Sequence, residues 1–143
     1  MIFIGERILL TLWVGGMWAV GYIVAPTLFN MLEKSIAGNV AGQLFTIMSY
    51  VGLVCGSLLI IGTVNRLGAQ VTQHWVFWAL IVMVLFILIG QFIIQPMMAE
   101  LKASGITDLN RSEFGKLHGI ASVLFLINSL LGLALVVNVA RMD

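Results

Sequence analysis

Few side chains in this sequence could do chemistry, and most lie toward the ends of long apolar runs. His118 stands in Phe114-Gly115-Lys116-Leu117-His118, with Gly119 next and Ser122 one turn on. An imidazole titrates near neutral pH and is the commonest metal ligand. Proton handling, metal binding and ligand binding are therefore open to it, as is the plainer role of bonding a backbone carbonyl or a loop. Gln91 and Gln95 are four residues apart and share a helix face. With Asn128 and Ser122 they either line a polar pocket beside His118 or simply bond one helix to another. Met97 and Met98 could join His118 on copper(I), since thioethers favour a soft ion, but Met is also ordinary core filler. Glu6 and Arg7 adjoin, and consecutive helical residues do not face each other, so one of them can turn inward. The single cysteine, Cys55, lies in mid-run and reads as packing.

The negatives narrow the chemistry. No charged residue falls in the middle of an apolar run, where a proton pump or voltage sensor would normally need one. No catalytic residue is assigned, the metal is unknown, and no cofactor is expected. A bis-His haem within one chain needs two histidines at one depth. His74 and His118 open different helices at opposite membrane faces, about 25–30 Å apart in depth by helical rise.

These residues are carried by a chain of 143, of which 61% is apolar and 9% charged. A soluble domain is about 45–50% apolar and about 25% charged. The net charge of +1 leaves no basic surface for nucleic acid. Residues 8–32, 35–65, 67–99 and 117–140 are free of Asp, Glu, Lys and Arg. Each run is long enough for one crossing, which takes about 20 residues. They lack the alternation of barrel strands. The first is too long for a signal-peptide core and has Glu6 beside Arg7 in place of a basic leader, so it reads as a retained helix.

The expected fold is all-α: one integral membrane four-helix bundle, up-down-up-down, filling residues 1–143 as a single domain. Its helices are expected over about 3–29, 36–64, 73–98 and 112–141. Ser35 and Ser112 are the expected N-caps, Gly68 the turn residue, and Pro26 and Pro96 the points where the first and third helices bend or fray. Residues 100–113 form the one sizeable loop.

Small residues mark where helices meet in lipid. The second helix carries Gly38, Gly42, Phe45, Ser49, Gly52 and Gly56 on one stripe, which should face the interior. The fourth repeats the pattern with Gly115, Gly119, Ser122, Ser129 and Gly132. The first holds Gly15, Gly16, Ala19, Gly21 and Ala25. The third is nearly empty of small residues over 82–89 and so looks more lipid-exposed. Arg7, Arg66 and Arg141 lie on the side of the termini, against Lys34, Lys102, Arg111 and Lys116 opposite, so the positive-inside rule gives no orientation.

Two stretches carry a family pattern. The first is Trp13-Val14-Gly15-Gly16-Met17, Ala25-Pro26-Thr27-Leu28-Phe29, and Ala37-Gly38 with Gly42 and Phe45. The second is Gln95-Pro96-Met97-Met98, Phe114-Gly115-Lys116-Leu117-His118, Ser122 and Asn128. In order and spacing the chain resembles bacterial membrane proteins akin to eukaryotic transmembrane protein 205, also classed as domain of unknown function 4149. The resemblance covers nearly the whole chain. It implies a four-helix protein of the bacterial inner membrane with cytoplasmic termini and no established enzymatic activity. The eukaryotic relatives are associated with tolerance to platinum drugs. It points to Trp13, Gly16, Pro26, Phe29, Gly38, Pro96, Phe114, His118 and Ser122 without saying what they do.

Three functions remain open: a protein that binds or exports a small ligand or metal between its helices, an assembly partner, or a haem- or quinone-linked redox protein. The lipid bilayer is the first partner, and a second copy or another membrane protein the next. Any ligand pocket is expected at the 30–40 and 99–114 side, around His118.

Overall fold

The computed structural model describes residues 4–141; Phe3, the expected start of the first helix, lies outside them. Four helices in it are long and apolar enough to cross a membrane. They are α1 (Ile4–Met31), α2 (Lys34–Leu67, continued by a 3-10 turn to Gln73), α3 (Trp75–Ala103) and α4 (Arg111–Ala140). No strand occurs among the described residues. Helices consecutive in sequence pack on each other and α4 returns to α1, so each helix meets its two neighbours in a ring.

The prolines do not end their helices. Pro26 follows a π turn at Val20–Val24 and Pro96 follows one at Gly90–Ile94. A proline ring inside an α-helix collides with the carbonyl four residues back and leaves it without a donor. The widened turn takes up that misfit, and Ala25 N–H bonds Val20 while Gln95 N–H bonds Gly90, each five residues back. Both helices therefore run on past the ring, α1 to Met31 and α3 to Ala103. This corrects the expected ends at 29 and 98 and shortens the loop. What remains of it is closed by Asn110, whose Oδ1 accepts from Thr107 N–H at 2.8 Å and whose Nδ2 donates to Gly105 at 2.8 Å. Asn110, not Ser112, precedes α4, and Glu33, not Ser35, precedes α2; neither side chain caps its helix. Gly68 ends α2 at φ +53°, a conformation that favours glycine.

The core is built on Trp13, 1% exposed. Its indole lies along the backbone of α2: a Cβ on Gly52 would meet Trp13 Nε1 at 2.7 Å, and one on Gly56 would meet Cη2 at 3.1 Å. Gly132 of α4 receives Val14 and Met17, and Gly21 of α1 receives Phe125. The small-residue stripes are thus used unevenly. Gly52, Gly56 and Gly132 are buried, whereas a Cβ on Gly38, Gly115 or Gly119 would meet nothing. The α3 expectation fails: the buried share of its apolar 18-residue stretch is 22%, the same as in α2 and α4, and Met83 is fully buried. Large side chains serve here because the facing helix supplies the glycines, Gly56 taking Val84 and Gly52 taking Ile87.

Candidate functional site

The residues expected to gather around His118 are spread through the molecule. His118 and Ser122 are exposed on α4, and the Ser122 hydroxyl donates to the His118 backbone carbonyl at 2.8 Å, not to its imidazole. Gln91 lies in the π turn of α3 and Gln95 just after it, both half-buried; the Gln95 amide lies against Gly42. Asn128 is buried and donates from Nδ2 to the Met83 carbonyl at 3.1 Å. Met83 is eight residues from Gln91, so that bond sits roughly 12 Å deeper. Met97 is exposed and Met98 half-buried. Phe114 takes Lys102 Nζ over its ring at 5.7 Å. Phe29, Pro26 and Pro96 are exposed, and Gly16 packs on Met48. His74 precedes the first residue of α3 and His118 follows its last, so a whole span separates them.

A polar seam that the sequence reading missed ties α1 to α4. Trp18 Nε1 donates to the Ser129 carbonyl at 3.1 Å, and Tyr22 Oη lies 2.6 Å from Ser129 Oγ. The Ser129 hydroxyl gives its proton to the Leu126 carbonyl at 2.8 Å, so Tyr22 is the donor in the shared bond. Ser129 stands in the small-residue stripe of α4, and its hydroxyl is the sequence signal for this seam.

A deeper cleft lies at the opposite end, on the side of the termini. A cleft of about 390 Å³ opens among all four helices there. Its inner walls are apolar, with Leu10, Leu59, Leu80 and Leu135. Its polar lining is Glu6 from α1, Thr63 and Arg66 from α2, His74 and Asn138. Arg66 Nη1 donates to Glu6 Oε2, with the two side chains 20% and 12% exposed. The α2 backbone makes room for this pair at Gly62, where any Cβ would collide with Glu6 Oε1. Thr63 is already satisfied by the Leu59 carbonyl at 2.8 Å.

The signal for this pair was present in the sequence. Glu6 is an acid among Arg7, Arg66 and Arg141 at one membrane face, and Gly62 stands one turn before Arg66. What the sequence lacked was the rotation of α1 that brings Glu6 onto Arg66. Chemically, the cleft offers a lipophilic interior under a mouth that carries one ion pair and further hydrogen-bonding groups, with no cluster of three His, Cys, Asp or Glu among the described residues.

An outer groove on α4, bounded by Lys116, Gly119, Ile120, Val123 and Leu124, lies near His118 but is open and apolar.

No curated protein and no solved structure matches the chain. The family described as Domain of unknown function (DUF4149) matches residues 8–107. That stretch runs from α1 through α3 and includes Trp13, the Gly52–Gly56 pair, Arg66 and both π turns. With that match over most of its length, the chain is a four-helix membrane protein that belongs to the DUF4149 family.

Proposed function

We propose that the protein binds a small amphipathic molecule in the cleft on the side of its termini, as a membrane binding or export factor. The observation that carries this reading is the combination of about 390 Å³ of apolar-walled space with the Glu6–Arg66 pair at its mouth. Ligand sites are concave, mostly apolar and fixed by a few polar groups, and run from about 300 to about 1,000 Å³. Residence in the bacterial inner membrane with the cleft facing the cytoplasm belongs to the same reading, supported by the resemblance of the sequence. The test is solvent extraction and mass spectrometry of protein purified from native membranes. The expected result is a stoichiometric amphiphile that is lost when Val139→Trp fills the cleft. Equal small-molecule content in the wild type and the filled variant would overturn the reading.

The outer groove beside Gly119 supports a second placement, in which His118 and Ser122 meet the ligand. A comparison of His118→Ala, His118→Gln and Ser122→Ala checks it. Loss of bound species at retained stability would favour that end. Assembly with another membrane protein or a second copy is supported by Gly38, Gly115 and Gly119, whose surfaces are open within this chain; a pull-down from native membranes checks it.

A further inference from the structure

Resting on the terminus-side cleft as a binding site, we infer the class of its ligand: a single-chain amphiphile with a compact anionic head, a carboxylate or a phosphate monoester, set against Arg66. The argument begins with charge. Glu6 is the one acid lining the cleft, and Arg66 already neutralises it. Among the described residues, the surrounding membrane face holds Arg7, Arg66 and Arg141 against Glu6. The balance at the mouth is therefore neutral to positive.

Hydrogen-bonding capacity points the same way. A guanidinium has five N–H donors and stays protonated. Glu6 engages Nη1, which leaves donors for a second acceptor. His74 and Trp75 line the same cleft and add ring N–H groups. A head that accepts hydrogen bonds can join the existing pair without breaking it.

A cationic head meets the reverse situation. Glu6 Oε2 already takes Arg66 and Oε1 is buried against Gly62, so a cation reaches this carboxylate only by displacing the pair, and removing one partner of such a pair is strongly destabilising. The volume sets the remainder of the ligand. About 390 Å³, walled by Leu10, Leu59, Leu80 and Leu135, suits one short chain or a compact ring system and is too small for a two-chain lipid inserted whole.

The experiment places the full chain in nanodiscs of phosphatidylcholine, which are electrically neutral overall. It measures binding of four probes of one chain length by tryptophan fluorescence: laurate, dodecyl phosphate, dodecanol and dodecylammonium. Laurate or dodecyl phosphate is expected to bind about tenfold or more tightly than dodecanol and dodecylammonium. Whichever of the two binds more tightly identifies the head as carboxylate or phosphate. Because Arg66→Gln alone strips Glu6 of its cation, the matched variant is Glu6→Gln/Arg66→Gln, in which two amides can still bond each other. It should retain dodecanol binding and lose the preference for anions. Dodecylammonium binding as tightly as the anions, or an anion preference that survives in the double variant, would overturn the assignment of the head while leaving the cleft a binding site. No saturable binding of any probe, with Val139→Trp indistinguishable from the wild type, would overturn the binding site itself.

Discussion

At the residue scale, the glycines divide into those that hold a neighbour and those that hold none. Gly62 accommodates Glu6, and Gly52 and Gly56 accommodate Trp13, so a methyl at any of these three displaces a packed group. Overpacking of this kind costs about 1–3 kcal/mol. Gly62→Ala, Gly52→Ala and Gly56→Ala are expected to lower stability by that amount, whereas Gly38→Ala and Gly115→Ala should be near neutral. Cys55, 6% exposed and the single thiol of the chain, provides the readout: maleimide labelling should be slow in the folded protein and rise on thermal unfolding. A Gly38→Ala variant as destabilised as Gly62→Ala would refute the distinction. Ser129 makes a second residue-scale case. It accepts from Trp18 at its backbone and from Tyr22 at its hydroxyl. Hydrogen bonds between membrane helices average about 0.6 kcal/mol and reach about 1.7. Ser129→Ala should cost within that range, and Tyr22→Phe no more; unchanged melting of both variants would show the seam to be inert.

At the element scale, the two π turns explain how α1 and α3 carry prolines without breaking. Each adds a residue to the helical count ahead of a ring that would otherwise strike a carbonyl. Deleting Ile23, whose side chain is 66% exposed, should return the turn to α geometry. The wide turn absorbs its extra residue with little net rotation, so residues 25–31 would keep nearly their present face against 4–19. Pro26 would lose its relief, and its ring would strike the carbonyl four residues back. The deletion is therefore expected to destabilise far more than Ile23→Ala, again by Cys55 labelling; equal effects would mean the turn is dispensable. The sequence told of the prolines but not of this remedy. A π turn arises from the balance between one strained ring and the packing of a whole helix, and no local residue pattern encodes that balance.

At the scale of the whole molecule, four crossings put both termini on one side. Reporter fusions at residues 1 and 143 should agree, and opposite signals would remove the four-span architecture. A cytoplasmic signal from both would put the cleft mouth at the cytoplasmic face, and a periplasmic one would reverse it. The helical class and the number of spans were legible in the sequence because the bilayer imposes them locally: with no water to satisfy backbone groups, each run of about 20 apolar residues must be a helix. The interior use of Gly52, Gly56 and Gly132 was legible for a related reason, since close helix contact demands small residues. The same rule overreached at Gly38, Gly115 and Gly119, because smallness permits contact without compelling it. Only the tertiary structure brought Glu6 to Arg66, set Asn128 on the Met83 carbonyl, and opened a cleft at the end with the fewer chemical signals. The reason is rotational. In an almost uniformly apolar chain, hydropathy fixes where a helix starts and stops. Which face turns inward depends on the shapes of all four helices together, as when Trp13 settles on two glycines about forty residues away.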